Sequence, residues 1–265
     1  MAIASPLIEI MMEAARRGAR TLARDFGEVE NLQVSLKGPA DFVSAADKMA
    51  EQKIFESLNR DRPGYGFLME ERGVVKGSDK THQFIIDPLD GTLNFLHGNP
   101  HFAISIAVER EGELVGGVIY DILRDEMFHA EKGKGAFLMD SRGTEKRLRM
   151  PMKKNMGDCV FATGIPWVGK PGHATFLKEL HKIMAVSAGV RRNGSAALDL
   201  AWTAAGRFNG YWERGLKPWD IAAGIVIVSE AGGKVCDLDD AGNDVLQTGN
   251  IICANREIFD KFKEK

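Results

Sequence analysis

The segment Ile85–Thr92 constrains the fold most, because it joins a short hydrophobic strand to two closely spaced carboxylates. Its two isoleucines predict the end of a buried strand, after which Asp87 and Asp90 enter a turn. The proline between them fixes φ and removes a backbone donor, while Gly91 permits a left-handed backbone. Thr92 is then placed to open a short helix, so the sequence predicts strand, acidic turn and helix in that order.

The chemistry of this segment indicates a site for metal ions and a phosphate group. The N–H groups at a helix start attract an anion, but adjacent carboxylates repel it unless cations neutralise them. Mg²⁺ prefers hard oxygen ligands, and backbone donors suit phosphoryl oxygens. The alternative is an ordinary Asp-Pro-Leu-Asp-Gly turn in which Asp caps and Gly turns the chain.

Acidic residues at three other places strengthen the interpretation as a metal site. Glu70 and Glu71 follow the apolar run 65–68, so they lie at a second strand end. Asp47 and Asp220 each fall in the first turn of a predicted helix. Each has a simpler alternative, as a surface glutamate or as a partner of the helix dipole. Taken together, they predict acids that gather in one cavity on folding.

The hydrophobic periodicity predicts layered helices and sheets. Helical spacing covers about 7–26 and 44–59, with Ser44 as the cap of the second helix, and apolar runs between 102 and 138 predict an antiparallel meander. The second half alternates between predicted strands and predicted helices. Its predicted strands are 159–163, 208–212, 234–237 and 251–254, and its predicted helices are 172–186, 195–205, 218–231 and the tail after Asn255. An α+β first half thus meets an α/β second half, which we interpret as a single domain over 1–265 with a sub-boundary near the polar stretch 140–156.

Composition excludes several classes of protein. The net charge of −2, from 35 basic and 37 acidic residues, argues against nucleic-acid binding through bulk charge. No run of apolar residues is long enough to cross a membrane, and the N-terminal segment is amphipathic without the features of a signal peptide. The cysteines, Cys159, Cys236 and Cys253, are widely spaced and odd in number. We therefore expect reduced core cysteines and a cytoplasmic protein.

Four blocks of the chain together resemble the inositol monophosphatase family over about residues 5–260. The blocks are Asp41-Phe42-Val43-Ser44-Ala45-Ala46-Asp47, Glu70-Glu71, Ile86-Asp87-Pro88-Leu89-Asp90-Gly91-Thr92-Leu93-Asn94-Phe95 and Trp219-Asp220-Ile221-Ala222-Ala223-Gly224. Ser44 replaces the usual Thr, Met69 replaces a Gly and Phe84 stands where Trp is frequent, but none of these departures removes a ligand.

The resemblance implies a layered αβαβα sandwich, the sugar-phosphatase fold, and a lithium-sensitive hydrolase. The implied reaction is Mg²⁺-dependent hydrolysis of a phosphate monoester, myo-inositol 1-phosphate, by in-line attack of a metal-activated water. Two or three Mg²⁺ ions would serve each site. Glu70, Asp87 and the carbonyl of Leu89 would hold the first ion, and Asp87, Asp90 and Asp220 the second, while Glu70 would hold a third through water.

The same resemblance assigns roles around the substrate. Thr92, hydrogen-bonded to Asp47, would orient and help deprotonate the attacking water, with Glu70 as the third catalytic residue. The N–H groups of Gly91 and Thr92 would hold the phosphate. The hydroxyl groups of the polyol would contact Asp90, Gly194, Ala196 and Glu213. A homodimer is implied by the family and by nothing else in the sequence.

The identity of the substrate and a second role stay open. The same chemistry would serve fructose-1,6-bisphosphate, histidinol phosphate, an adenosine bisphosphate or NADP. Glu213 favours a neutral polyol, since a second phosphate would need a cation there and Lys217 is the only nearby candidate. Arg191-Arg192 could bind phosphate or contact a partner. The resemblance also implies a role as a binding protein of the transcription machinery, for which the basic stretch 142–154 is the only hint, and a solvated loop is the alternative.

Overall fold

The computed structural model describes residues 4–26, 34–38 and 41–265, and residues 34–38 and 41–44 by their backbone alone. Eight α-helices occur in these ranges: α1 Pro6–Asp25, α2 Ala45–Asp61, α3 Thr92–Leu96, α4 His173–Met184, α5 Ala196–Ala204, α6 Pro218–Glu230, α7 Val245–Thr248 and α8 Phe259–Lys263. None of them is long and apolar enough to span a membrane. The side chain of Ser44 lies outside the described residues, so its capping role stays a prediction.

An eight-stranded sheet forms the first half. Its order is β10-β9-β8-β7-β6-β5-β3-β4, and all neighbours are antiparallel except β3 and β5. The strands are β3 Gly66–Met69, β4 Gly73–Val75, β5 His82–Asp90, β6 Ala103–Arg110, β7 Glu113–Asp121, β8 Glu126–Glu131, β9 Gly135–Met139 and β10 Glu145–Arg147, while β1 Val34–Gly38 and β2 Asp41–Ser44 form a separate antiparallel pair.

A five-stranded mixed sheet forms the second half. Its strands are β11 Val160–Thr163, β12 Gly189–Arg191, β13 Gly210–Glu213, β14 Lys234–Asp237 and β15 Ile251–Ala254. The order is β12-β11-β13-β15-β14, with β11 parallel to both of its neighbours and β15 antiparallel to both of its own.

Alternating side chains of the strands build the layers. In β5, Phe84 and Ile86 pack against α1 and α2, whereas Ile85 faces the opposite core with α5 and α6. In β13, Tyr211 faces α5 and α6, whereas Trp212 faces the outer core with α4 and α8. This period of two places one helix layer between the sheets and one on each outer face. The layered αβαβα sandwich expected from the sequence is confirmed.

The structure corrects the sequence analysis in two places. Strand β5 does not end before the acids: it continues to Asp90, with a bulge between Asp87 and Asp90 opposite β6. The proline at 88 cannot donate a ladder hydrogen bond, and a bulge accommodates it without ending the strand. Within the stretch 140–156, Glu145–Arg147 forms the edge strand of the larger sheet, so this part is not only a linker. The single domain with a sub-boundary there stays a prediction.

Candidate active site

Three aspartates from two elements converge on one point. The bulge of β5 brings Asp87 and Asp90 together, and α6 contributes Asp220 from its first turn. One carboxylate oxygen from each residue lies within 4.8 Å of the others. The Asp87 carboxylate also accepts a hydrogen bond of 2.9 Å from the Leu89 N–H, which stabilises the bulge. The acids therefore act as turn and capping residues, as the alternative interpretation expected, and they also form a cluster.

The start of α6 shows how one acid serves both purposes. Pro218 occupies the first turn, where its missing N–H costs nothing. Asp220 accepts a hydrogen bond of 2.7 Å from the Lys217 N–H, in a capping box. This bond fixes the carboxylate of Asp220 at the N-terminus of the helix, where it points at the other two aspartates.

Burial and mutual repulsion make the cluster costly to ionise. Desolvation, followed by the charges of Glu70, Asp90 and Asp220, raises the pKa of Asp87 well above its usual value. Desolvation likewise raises the pKa of Asp220, with the charge of Asp90 as the next cause. Burial raises the pKa of Asp90 to about 6, although hydrogen bonds from Ser195 and Ala197 oppose this shift. Crowded, buried carboxylate oxygens are the donor set that a hard divalent cation requires, so the residues fit such an ion.

Helix α5 holds Asp90 from the opposite side. Ser195 donates a short hydrogen bond to Asp90 Oδ2, and the Ala197 N–H donates another of 2.8 Å to the same oxygen. The Ser195 hydroxyl also caps α5, because it accepts from the Leu198 N–H at 3.3 Å. Ser195 thus caps α5 and ties this helix to the acidic bulge across the two halves of the chain.

Glu70 lies beside the aspartate cluster and directly follows β3. Its N–H donates to the Ile86 carbonyl at 3.2 Å, which holds the end of β3 against β5. The sequence analysis missed the residue that supports this turn, Glu51 of α2, which is buried and accepts a 2.8 Å hydrogen bond from the Glu71 N–H. The one available signal was its position four residues after Asp47, on the same helix face.

Thr92 contacts Asp47 as the resemblance implies. The Thr92 hydroxyl lies 3.2 Å from Asp47 Oδ1 and 3.0 Å from the Leu89 carbonyl, and Asp47 is fully buried. A hydroxyl has one proton, so it donates to only one of these acceptors at a time. The pair lies at the junction of α2 and α3, next to the aspartates.

Two loops of the site are joined by Asn94, whose role the sequence did not reveal. Its amide donates to the carbonyls of His101 at 2.7 Å and Asn193 at 2.8 Å. Gly91 has a φ of +95°, and a Cβ there would lie 3.0 Å from the His101 carbonyl oxygen, so glycine suits this position. The Asn94 amide also lies 3.3 Å from the carbonyl oxygen of Gly194, whose φ is +88°.

All of the predicted site residues except Asp47 line one cavity of about 360 Å³. They are Glu70, Asp87, Leu89, Asp90, Gly91, Thr92, Gly194, Ala196, Glu213 and Asp220. Asp47 lies behind Thr92. The eight-stranded sheet, the middle helices and the five-stranded sheet each contribute to the cavity, so it lies between the two halves of the chain.

The surroundings of Glu213 correct one sequence argument. Lys170 and Arg192 line the same cavity as Lys217, so Lys217 is not the only cation near Glu213. Burial raises the pKa of Glu213, whereas a 2.7 Å hydrogen bond from the Tyr211 hydroxyl and the charges of Lys170 and Arg192 oppose this shift. These cations come from loops distant in sequence, which is why local spacing did not reveal them.

Comparison with known proteins identifies relatives along almost the whole chain. The model of the inositol monophosphatase family matches residues 3–264. An inositol-1-monophosphatase of Caulobacter vibrioides is 55% identical over 96% of this chain and 98% of the relative. The Nus factor SuhB of Escherichia coli is 40% identical over 96% of this chain and 92% of the relative. The crystal structure of the extragenic suppressor protein suhB of Bartonella henselae superposes with a TM-score of 0.93, at 52% identity and 98% coverage of both chains.

Proposed function

Because the chain belongs to the inositol monophosphatase family, we propose that this phosphatase is Mg²⁺-dependent and that its substrate is myo-inositol 1-phosphate. The cluster of Asp87, Asp90 and Asp220 on the wall of a cavity is the observation that carries the proposal. Buried acids this close together destabilise the folded chain unless a cation accompanies them. A reaction that uses a bound cation accounts for the presence of these buried acids in the cavity.

The metal ligands follow from the donor set. Asp87, Asp90 and Asp220, with Glu70 and the carbonyl of Leu89 beside them, would hold two or three Mg²⁺ ions. Bound there, the ions would lower the pKa of the attacking water and stabilise negative charge on the phosphoryl group. The hydrogen bonds from Leu89, Ser195, Ala197 and Lys217 orient the carboxylates in advance, so little rearrangement is needed on binding.

The protein's own groups then position the reactants. When the Thr92 hydroxyl donates to Asp47, its oxygen is free to accept a hydrogen bond from the attacking water. As the Thr92 oxygen takes the proton of the water, the hydroxyl proton of Thr92 would pass to the carboxylate of Asp47. The buried carboxylate of Asp47 orients that hydroxyl, and the N–H groups of Gly91 and Thr92 hold phosphoryl oxygens, where they stabilise charge that develops in the transition state. Glu70, on the side of the cavity next to Asp87, would be the third catalytic residue.

The leaving alcohol would lie between the aspartates and Glu213. Asp90, Gly194, Ala196 and Glu213 line this part of the cavity and offer acceptors for hydroxyl groups. Lys170 and Arg192 weaken the earlier argument against a second phosphate, so fructose-1,6-bisphosphate, histidinol phosphate, an adenosine bisphosphate and NADP stay as alternatives. Inositol phosphate is preferred because the half-buried carboxylate of Glu213 would repel a second phosphate.

The test is phosphate release measured against Mg²⁺ concentration, with Li⁺ added at saturating Mg²⁺. We expect no release without Mg²⁺, a saturable rise with it and inhibition by millimolar Li⁺. Release that persists in a strong chelator would overturn the metal requirement. Kinetics over the alternative substrates test the substrate, and a bisphosphate preferred tenfold or more over inositol 1-phosphate would replace it.

A second role in transcription is supported by relatives whose names include Nus factor SuhB. The basic stretch 142–154 is the part of this chain that could contact RNA or an acidic partner, and Arg142 and Arg149 lie on its exposed surface. Pull-down of the transcription machinery with and without RNA tests this role, using reversal of charge at Arg149 as the variant. Absence of capture by the unmodified protein would exclude it. We also propose a homodimer, which the family implies, and a cytoplasmic location, which the widely spaced cysteines favour.

A further inference from the structure

The carboxylate of Glu213 is held in place by two neighbouring residues. Glu213 is the last residue of β13 and lines the active-site cavity on the side of the leaving alcohol. A glutamate side chain has several rotatable bonds, so in water it would not keep one direction. The residues that fix this direction therefore decide where a substrate hydroxyl can be bound.

Tyr211 holds the carboxylate from the core. Its hydroxyl donates a 2.7 Å hydrogen bond to Glu213 Oε2. The two residues alternate with Trp212 along β13, so their side chains lie on the same face of the strand. Tyr211 is fully buried against α5 and α6, and this packing fixes its ring. Burial, followed by the charge of Glu213, raises the pKa of Tyr211 well above its usual value, so the phenol keeps its proton and stays a donor.

Gly164 provides the space in which the carboxylate lies. It follows β11, whose last residue, Thr163, is paired with Trp212 across the parallel strands. The Thr163 hydroxyl donates to the Trp212 carbonyl at 2.8 Å, which fixes the end of β11 against β13. A Cβ at Gly164 would overlap the carboxylate carbon and both carboxylate oxygens of Glu213. Any side chain at this position would therefore displace the carboxylate.

The overlap at Gly164 would be relieved by Glu213 itself. The atoms that a Cβ would meet belong to the end of a flexible side chain and not to the backbone. Gly164 has a φ outside the left-handed region, so its backbone accepts alanine without strain. Alanine at Gly164 would thus move the carboxylate while the fold is kept.

We propose that Tyr211 and Gly164 are positioning residues that fix Glu213 with Oε1 towards the leaving alcohol, so that the site selects phosphate esters of polyols. Oε2 is engaged by Tyr211, and Oε1 accepts no hydrogen bond from the residues that the structure describes, so Oε1 remains for a substrate hydroxyl. The inference rests on the proposed function, which places the alcohol beside Glu213. It extends that function by assigning the selection of the alcohol to residues that act through Glu213.

The experiment compares two substrates that differ only in the hydroxyl groups of the alcohol. Myo-inositol 1-phosphate and cyclohexyl phosphate share the ring and the ester bond, but the second lacks the other hydroxyl groups. The intrinsic reactivity of each ester is the same for every variant of the protein. The change between variants in the ratio of kcat/KM for the two substrates therefore measures the contribution of the protein to the selection.

Tyr211→Phe removes only the hydroxyl that holds Glu213. We expect it to lower the ratio at least about fivefold, through a higher KM for inositol 1-phosphate, because a misplaced carboxylate loses most of a hydrogen bond to a charged group. Tyr120→Phe is the matched control: the Tyr120 hydroxyl donates a 2.6 Å hydrogen bond to Asp125, and neither residue lines the cavity. An unchanged ratio in Tyr211→Phe would overturn the proposal.

Gly164→Ala tests the second positioning residue without changing the core. We expect the same fall in the ratio, because the new methyl group displaces the carboxylate of Glu213. Gly157→Ala should keep the ratio, since its Cβ would have no neighbour closer than 3.5 Å. A ratio in Gly164→Ala equal to that of the unmodified protein would remove Gly164 from the proposal.

A double substitution shows whether Tyr211 acts through Glu213. Glu213→Ala alone should lower the ratio at least as much as Tyr211→Phe does. Adding Tyr211→Phe to Glu213→Ala should then change the ratio no further, because the carboxylate to be positioned is absent. Additive losses would mean that Tyr211→Phe disturbs the core in general, and they would contradict a positioning role.

A binding measurement separates this inference from the proposed function. Both ring compounds are also prepared as phosphonates, in which a methylene group replaces the ester oxygen, and their affinities are measured by calorimetry with Mg²⁺ present. Tighter binding of the inositol phosphonate that Tyr211→Phe removes supports the positioning role even if neither ester is hydrolysed. Hydrolysis of both esters with a ratio that Tyr211→Phe leaves unchanged keeps the phosphatase and rejects the positioning role. Binding of neither phosphonate rejects both.

Discussion

At the scale of single residues, each buried carboxylate of the site has a separate structural partner. Asp90 is held by Ser195 and Ala197, Asp220 by the Lys217 N–H, and Asp87 by the Leu89 N–H. These bonds orient the acids without neutralising them. The chain therefore holds a negative cluster in one geometry, and the charge is left for a cation to balance.

The substitution Asp90→Asn removes the charge of this side chain but keeps an oxygen that can accept its hydrogen bonds. An amide oxygen still accepts the bonds from Ser195 and Ala197, so we expect the fold to survive. The loss of one ligand charge should lower kcat by at least about 100-fold, a magnitude typical of removing a group that stabilises the transition state. Phosphate release and circular dichroism measure the two effects. Asp260→Asn, an exposed acid paired with Lys234, is the control, and unchanged activity in Asp90→Asn would remove Asp90 from the site.

Glu51 acts on the site through the turn that carries Glu70. Glu51→Ala leaves the Glu71 N–H without its acceptor, which should cost about 1–3 kcal/mol of unfolding free energy. We also expect a higher Mg²⁺ concentration for half-maximal activity, because the turn is no longer fixed. Glu51→Gln keeps an acceptor oxygen and should restore most of both properties. Urea unfolding and Mg²⁺ titration measure them, and equal behaviour of Ala and Gln would contradict a positioning role.

At the scale of elements, the close approach of α6 to the larger sheet places Asp220. Gly117 of β7 faces this helix, and a Cβ there would lie 2.6 Å from the Ala223 carbonyl oxygen and 2.9 Å from its Cα. The contact involves backbone atoms, which cannot move aside as a side chain can. The glycine therefore sets the distance between α6 and β7, and hence the distance from Asp220 to the acids of β5.

Gly117→Ala should move α6 away from the sheet. We expect a loss of about 1–3 kcal/mol in unfolding free energy from overpacking, and weaker Mg²⁺ activation because Asp220 moves with the helix. Urea unfolding and Mg²⁺ titration are again the measurements. Gly157→Ala is the matched control, since its Cβ would have no neighbour closer than 3.5 Å. A destabilised variant with unchanged Mg²⁺ activation would show that α6 does not position the site.

Elements with a clear period were predictable, and those held by their neighbours were not. The amphipathic pattern of α1 predicted a helix over about 7–26, and the structure has Pro6–Asp25. The antiparallel meander predicted between 102 and 138 is also present, and Glu111 and Gly112, both with positive φ, form the two-residue turn that joins β6 to β7. The three-residue strands β4, β10 and β12 were missed, since so short a strand has no period of its own and forms only because a neighbouring strand pairs with it.

The same distinction applies to the candidate site. Asp87, Asp90 and Gly91 were evident because their chemistry is contained in one local segment. Lys170 and Arg192 were not, because only the packing of the two sheets brings their loops to Glu213. The resemblance to a family supplied the remaining roles, and the structure added the contacts that hold the residues in place.

At the scale of the whole molecule, the cavity depends on the docking of two sheets through one helix layer. Asp87 and Asp90 come from the larger sheet, Glu213 from the smaller sheet and Asp220 from the helix layer between them. Ser195 links two of these layers by its bonds to Asp90 and Leu198. Neither sheet carries a complete site. The full set of acids, with its mutual repulsion, is therefore assembled only when the whole chain folds.

Protons can partly balance the charge of these acids in place of a bound cation, which couples stability to pH. Burial raises the pKa of Asp90 to about 6, so between about pH 4 and pH 6 the metal-free folded protein keeps protons that the unfolded chain has lost. The contribution of Asp90 to stability therefore falls as the pH rises through this window. His101 has the opposite effect, because burial lowers its pKa to about 4 and the unfolded chain binds the proton first. The two contributions oppose each other in the total stability.

A comparison of the unmodified protein with Asp90→Asn removes the contribution of His101, which is common to both proteins, and reports on the aspartate cluster. Without metal, we expect the unmodified protein to lose roughly 3 kcal/mol of unfolding free energy relative to the variant between about pH 4 and pH 7, the value of a pKa shift of about two units. Saturating Mg²⁺ should remove this loss, because a divalent cation binds the ionised carboxylate and competes with the proton. Urea unfolding at each pH, with chelator or with Mg²⁺, measures the difference. A difference that does not change with pH in chelator would mean that the acids do not share a buried charge, and the metal site would lose its electrostatic basis.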